Sequence, residues 1–361
     1  MADGFSAMDF TPAVEAQTRP IWDKVKTRVT PLEWRAQAPL IAAINTLKKQ
    51  KNAVILAHNY MTPEIFHGVG DFVGDSLGLA REAARSDAAI IVQAGVHFMA
   101  ETSKVLCPDK TVLIPDLRAG CSLASSITGA DVRLIKQRYP GLPVVTYVNT
   151  TAEVKAETDV CCTSANAVQV VEHVAREWGV DRVILIPDEF LARNVARQTD
   201  VGIIAWKGRC EVHERFDRDD MLELRAAYPG AEILAHPECP TEVLELADFA
   251  GSTAAMNDYV IQRKPRQVVL ITECSMADNV ACDAPDTEFV RPCNLCPHMK
   301  RISLENIYEA LAGDRFEVTV AAEVAERARL AVQRMIDLPP PAQPARYDLV
   351  KARHHVDVEL I

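Results

Sequence analysis

An interval of about 89 residues recurs through this chain, and it restricts the possible folds more than any single motif does. Short β-rich runs end in the polar triplets His58-Asn59-Tyr60, Tyr147-Val148-Asn149 and His236-Pro237-Glu238, whose first members are 89 residues apart both times. A second marker is an Asp, an apolar residue, mostly small residues and then a hydroxyl. It sets Ser76, Ser164 and Thr253 at steps of 88 and 89 residues. The third marker is a strand, a glycine-bearing turn and a cysteine, with Cys121, Cys210 and Cys296 at steps of 89 and 86 residues. Three independent markers on one interval imply three copies of one module.

Inside each copy, near-continuous apolar runs alternate with helical patterns. The runs are 54–57, 89–93 and 111–115 in the first copy, and 144–148, 182–186 and 201–206 in the second. In the third they are 233–235, 267–272 and a weaker 288–291. Such runs, separated by helices, imply parallel sheet covered on both faces. The expected architecture is α/β: three pseudo-threefold-related three-layer α/β modules with parallel sheets around a central active site. Residues 1–50 read as an N-terminal arm with a helix from 33 to 51, and 51–140, 141–228 and 229–310 as the modules. Residues 311–361 read as a strand (316–320), a helix (321–338) and a tail packing back on the modules. Ligands of open parallel sheets sit beyond the carboxyl ends of strands. The triplets, hydroxyls and cysteines are therefore expected at one shared cavity.

The formal net charge of −11 argues against nucleic acid as a partner. No apolar run approaches the roughly 18 residues of a membrane span, and the first thirty residues lack the apolar stretch of a secretory leader. A cytoplasmic location is expected. There, ten cysteines point to metal or catalysis rather than to a disulfide frame. Thiolates bind zinc, copper(I) or iron–sulfur clusters. Structural zinc favours closely paired cysteines, and of the cysteines at the three marked positions only Cys296 has such a partner, Cys293. Three thiols meeting at one point suit a 4Fe-4S cluster that keeps one iron open. Cys107, Cys161, Cys162, Cys274 and Cys282 read as small core hydrophobes, while Cys239, next to Glu238, is open to either reading. The recurrence of His58 and His236 at one module position favours function over a hydrogen-bonded structural role. Ser76, Ser164 and Thr253 read as helix N-caps, as anion-receiving helix starts, or as both. The Gly68, Gly70 and Gly74 spacing does not match a dinucleotide fingerprint.

The strings AHNY (57–60), GDSLGLA (74–80), GVHFMAET (95–102), AGCSLA (119–124) and YVNTTAEVKAETD (147–159) resemble the quinolinate synthase family. So do CTSANA (162–167), KGRCEVHERF (207–216), AHPECP (235–240), GST (251–253) and CPHM (296–299). The likeness runs from about residue 50 to 310. It implies three pseudo-symmetric α/β domains around one 4Fe-4S cluster held by Cys121, Cys210 and Cys296. Cys293 is the rival third ligand: some members carry Cys-x-x-Cys-x-x-Cys there, and this chain has Val290 in the first place. The implied reaction condenses iminoaspartate with dihydroxyacetone phosphate, losing phosphate and water, to form quinolinate in NAD biosynthesis. The open iron would serve as Lewis acid.

Tyr60, Glu238 and His58 are the implied catalytic residues. The implied substrate-binding set is His58, Ser76, Tyr147, Val148, Asn149, Ser164, His236, Pro237, Glu238 and Thr253. Functional coupling to L-aspartate oxidase is a further implication. Three readings compete: an iron–sulfur hydro-lyase of another hydroxy acid, a cluster-based sensor, and a zinc protein.

Overall fold

The computed structural model describes residues 8–339, 346–347, 349 and 358–361. The expected N-terminal arm contains a helix, α1 (Pro12–Val25). Thr11 caps it by accepting the Val14 N–H, and Pro12 occupies the first turn, where a missing N–H costs nothing. Helix α2 (Pro31–Lys51) follows from a capping box in which Thr30 and Glu33 satisfy each other's backbone N–H groups.

The three sheets repeat one plan. In the first are β1 (Ala53–His58), α3 (Pro63–Phe66), β2 (Phe72–Gly74), α4 (Ser76–Arg85), β3 (Ile90–Ala94), α5 (His97–Leu106) and β4 (Thr111–Leu113). The second has α6 (Gly129–Arg138), β5 (Val144–Tyr147), α7 (Ala152–Ala156), β6 (Val160–Cys162), α8 (Ala167–Trp178), β7 (Arg182–Ile186), α9 (Glu189–Ala196) and β8 (Gly202–Ala205). The third has α10 (Arg218–Ala227), β9 (Glu232–Ala235), α11 (Thr241–Glu245), β10 (Phe249–Gly251), α12 (Thr253–Arg263), β11 (Gln267–Ile271), α13 (Cys274–Asp283) and β12 (Glu288–Val290). Numbering strands within each copy, all three run in the order 2-1-3-4, and every pairing among β1–β12 is parallel. The central strands are buried nearly end to end, as strands with helices on both faces must be.

Two small devices recur with the period. One carboxylate oxygen of Asp71, Asp159 and Asp248 accepts the N–H of Ile55, Val144 and Ile233, each at 2.8 Å. The same three carboxylates pair with Lys48, Lys136 and Arg225. The Asp of the second marker therefore fastens its short strand to the strand beside it. A capping box starts α6, α10 and α14 (Leu304–Gly313), as it starts α2. Strands β2, β6 and β10 went unread because three residues with interspersed glycine or cysteine give too short a pattern.

Residues 316–320, expected as a strand, make only an isolated antiparallel bridge to β4, where Ile114 N–H bonds to Phe316 O and Val318 N–H to Val112 O. Phe316 has φ +64°, which breaks the extended run. Helix α15 (Ala322–Asp337) then packs against α7, β6 and α5. Two-residue strands close the chain: β13 (Arg346–Tyr347) pairs antiparallel with β10, and β14 (Glu359–Leu360) parallel with β8. The rest of the expected tail lies outside the described residues.

Candidate active site

A cleft opens where the carboxyl ends of the three sheets meet. Cys121, Cys210 and Cys296 line it, one from the loop beyond the last strand of each sheet. So do His58, Tyr60, Ser76, Tyr147, Asn149, Ser164, His236, Glu238 and Thr253. Two expected contacts are not among the lining residues. Val148 is buried with its N–H on Cys162 O, and the Pro237 carbonyl accepts from Asn194 Nδ2 at 2.9 Å.

The hydroxyl residues differ in detail from expectation. Ser76 and Thr253 are the first helical residues of α4 and α12, and the caps are their predecessors: Asp75 accepts from Gly78 N–H, Ser252 from Ala255 N–H. Ser164 lies in the turn before α8, whose N-cap, Asn166, makes no side-chain cap bond. Hydroxyls that do not cap are free for other partners. Ser164 Oγ is 3.3 Å from His236 Nε2, and Thr253 Oγ1 accepts from Asn59 Nδ2 at 2.8 Å, a bond from the first copy to the third.

The polar centre is a chain of hydrogen bonds across the copies. Tyr60 OH lies 2.7 Å from Thr272 Oγ1, and Thr272 Oγ1 3.0 Å from His213 Nε2. His213 Nδ1 is 2.7 Å from Glu238 Oε2. A carboxylate can only accept, so His213 donates from Nδ1; with the ring neutral, Nε2 accepts from Thr272, which in turn accepts from Tyr60. Asn149 Nδ2 donates to the other Glu238 oxygen at 3.3 Å, and Tyr147 also hydrogen-bonds the carboxylate. His213 and His236 stack at 4.7 Å between centroids.

These partners fix the charge states. Burial alone would push Glu238 up, yet His213 and Tyr147 hold it below the ordinary carboxylate range, so it is ionised. Burial, reinforced by the Glu238 charge, raises the phenols of Tyr60 and Tyr147 well above their usual value. Burial also lowers His58 to about 4 and His236 to about 3, leaving both rings neutral at physiological pH.

His213 and Thr272 were not legible as site residues. His213 follows Cys210 by three positions inside a quoted motif, which was the available signal. Thr272 is a lone threonine just past β11, and nothing local marks it.

The cysteines divide cleanly. Cys274, expected as a core hydrophobe, forms a disulfide with Cys293 at a Cα separation of 5.1 Å. Strands β11 and β12 are neighbours, and the residues after them continue side by side through a Glu273–Asn294 bridge, which brings the two sulfurs together. Cys293 is thereby occupied, whereas Cys296 is free and faces the cleft.

Burial raises all three cleft thiols, Cys121 to about 12, and each of Cys121 and Cys210 is raised further by another of the three. Three such thiols become thiolates together only beside a strongly cationic centre. No lysine or arginine is among the lining residues, which leaves room for that charge. The donor set therefore fits an iron–sulfur group. Cys210, His213 and Glu238 also bring metal-ligating atoms together, with His213 Nδ1 3.2 Å from Cys210 Sγ and 2.7 Å from Glu238 Oε2.

The loops bearing the thiols brace one another. Ser122 Oγ bonds Arg209 O at 3.2 Å and receives Glu211 N–H at 3.1 Å, and Glu211 Oε1 pairs with His298 Nε2 at 2.9 Å.

A family model described as Quinolinate synthetase A protein matches residues 42–337. The quinolinate synthase of Caulobacter vibrioides (strain NA1000 / CB15N) is 77% identical across 100% of both chains. Quinolinate synthase 1 of Mesorhizobium japonicum is 64% identical, covering 90% of this chain and 99% of that protein. The quinolinate synthase of Sinorhizobium fredii (strain NBRC 101917 / NGR234) is 59% identical over 91% of this chain and 90% of that protein.

Proposed function

The chain belongs to the quinolinate synthase family, and from that premise we propose that it condenses iminoaspartate with dihydroxyacetone phosphate to quinolinate, losing phosphate and water, in NAD biosynthesis. The observation that carries the reading is the Tyr60–Thr272–His213–Glu238 chain opening on the cleft that three free thiols share. Cys121, Cys210 and Cys296 would hold a 4Fe-4S cluster, which when bound supplies a Lewis-acidic iron for a substrate hydroxyl or carboxylate.

Tyr60 is the acid–base group. Its buried phenol is protonated at rest and gives its proton to a leaving oxygen. When Tyr60 acts as a base instead, its own proton moves through Thr272 to His213 as the phenol oxygen accepts one from substrate, and Glu238 stabilises the imidazolium so formed. Glu238 thus acts by orienting His213 and holding its charge. His58 and His236, both neutral, hydrogen-bond substrate without adding charge. Ser76, Ser164 and Thr253 offer hydroxyls to carboxylate and phosphate, and the uncapped start of α8 adds backbone N–H groups. Tyr147 and Asn149 each bond Glu238 and face the same space, so they would set the substrate against it. A cytoplasmic location and functional coupling to L-aspartate oxidase complete the reading; no described helix is long and apolar enough to cross a membrane.

The test is quinolinate formation by anaerobically purified protein given both substrates. Tyr60→Phe and Glu238→Gln are expected to lose about 10²- to 10⁴-fold in turnover while keeping the brown absorbance. Cys121→Ser, Cys210→Ser and Cys296→Ser are expected to lose the colour, and Cys293→Ser to keep it. Turnover without dihydroxyacetone phosphate would indicate a hydro-lyase instead. A colourless wild type rich in zinc would end the cluster reading.

A further inference from the structure

Lys300 follows Cys296 by four residues, in the short 3-10 turn Met299–Arg301. Its ammonium reaches three places. It donates to the Tyr60 carbonyl at 2.7 Å and to Ser275 Oγ at 2.6 Å, and it pairs with Glu273 Oε1 at 3.0 Å. Those groups lie on two segments: the turn beyond β1, and the start of α13, where Glu273 is the N-cap and Ser275 stands in the first turn. The Glu273 side chain is fully buried, and its other oxygen receives the Ser275 N–H at 2.8 Å. One long flexible side chain is thus held at its tip by three partners.

Tyr60 is where this matters. Its backbone has another anchor in the His58 ring, which accepts the Tyr60 N–H at 3.2 Å, while its hydroxyl must meet Thr272 from the third copy. The third copy grips the first copy's backbone here at three successive carbonyls: Asn279 Nδ2 donates to those of Asn59 and Met61 at 3.0 and 2.7 Å, and Lys300 takes the one between them, on the phenol-bearing residue itself. We propose that Lys300 is a positioning residue for Tyr60, locking the phenol onto Thr272 and tying it to the loop that carries the third thiol. The placement has a second effect: after burial and the opposing pull of Glu238, the Lys300 charge helps keep His58 unprotonated.

The proposal rests on Tyr60 being the acid–base group. Removing Lys300 alone orphans the buried Glu273 carboxylate, which is destabilising in itself. The decisive variant is therefore Lys300→Met/Glu273→Gln, which removes both charges, measured beside Lys300→Met and Tyr60→Phe. The double variant is expected to melt near wild type and keep the brown absorbance. Its kcat should nevertheless fall about 10- to 100-fold with KM within about twofold, since a misplaced catalytic group costs on that order. Recovery of wild-type kcat together with the melting temperature would make Lys300 merely structural and overturn the assignment. A Tyr60→Phe chain as active as wild type would overturn both this assignment and the role of Tyr60. An inactive Tyr60→Phe beside a fully active double variant would overturn the Lys300 assignment alone.

Discussion

At the scale of single residues, the site is built from groups that are ordinary apart and specific together. Thr272 shows this best. Its side chain is fully buried and stands between a phenol and an imidazole that otherwise approach only to 3.5 Å. Thr272→Val keeps the shape and deletes the bridge. The expected result is a loss of about 10²-fold in kcat, with a stability cost of about 1–3 kcal/mol for the two buried groups left unpaired. Steady-state kinetics and urea unfolding on one preparation would check both; unchanged kcat would take Thr272 out of the relay.

The same residue marks where sequence reasoning stops. Tyr60, Asn149 and Glu238 stand at one position of the repeat, 89 residues apart, so their convergence could be read from spacing. Thr272 and His213 reach the relay from different phases of the period. Only the packing of three sheets around one axis brings them together, and no local pattern encodes it.

At the scale of elements, the recurring Asp devices make a prediction that separates the copies. The Asp159 carboxylate holds the Val144 N–H and pairs with Lys136. Asp159→Ala should cost about 1–3 kcal/mol by leaving that N–H without its partner. Hydrogen exchange should quicken at Val144 and leave Ile55 and Ile233, served by Asp71 and Asp248, as they were. Equal quickening at all three would mean the sheets open as one unit. The long strands and the helix at α15 were legible because their apolar runs are long enough to show a period. Helix α1 was not, because Pro12 and Pro20 read as punctuation although one sits in the first turn and the other is tolerated inside. The disulfide was hidden for a different reason: Cys274 and Cys293 become neighbours only through the pairing of β11 with β12.

At the scale of the whole molecule, burial of neutral imidazoles ties stability to pH. His58, His67 and His236 are lowered by burial to about 4, about 4 and about 3, against about 6.5 in an unfolded chain. Between those values the unfolded chain binds protons that the folded one refuses. The contribution of these rings is therefore constant above about pH 7 and falls as pH drops from about 6.5 towards 4, by up to roughly 1.4 kcal/mol per pH unit for each ring. Glu238 has the same sense in a lower window: its depressed pKa gives stability that is complete above the usual carboxylate value and is lost in stronger acid. Between about pH 6.5 and 5 it therefore adds little to the slope that the imidazoles set. The urea midpoint of the metal-free protein should fall clearly between about pH 7.5 and 5.5; a flat midpoint would mean these rings are charged in the fold.

The cleft's three free thiols are contributed by loops at residues 121, 210 and 296, after the last strand of each sheet. On a nascent chain leaving the ribosome, the first two exist long before the third, and a pair of sulfurs is an open invitation to adventitious metal. Only when the last sheet has emerged and docked does a complete cage exist. On the proposed reading, a cluster held by all three thiols would have to wait for the third loop, and a chain truncated short of Cys296 would lack one of the three sulfurs that hold it.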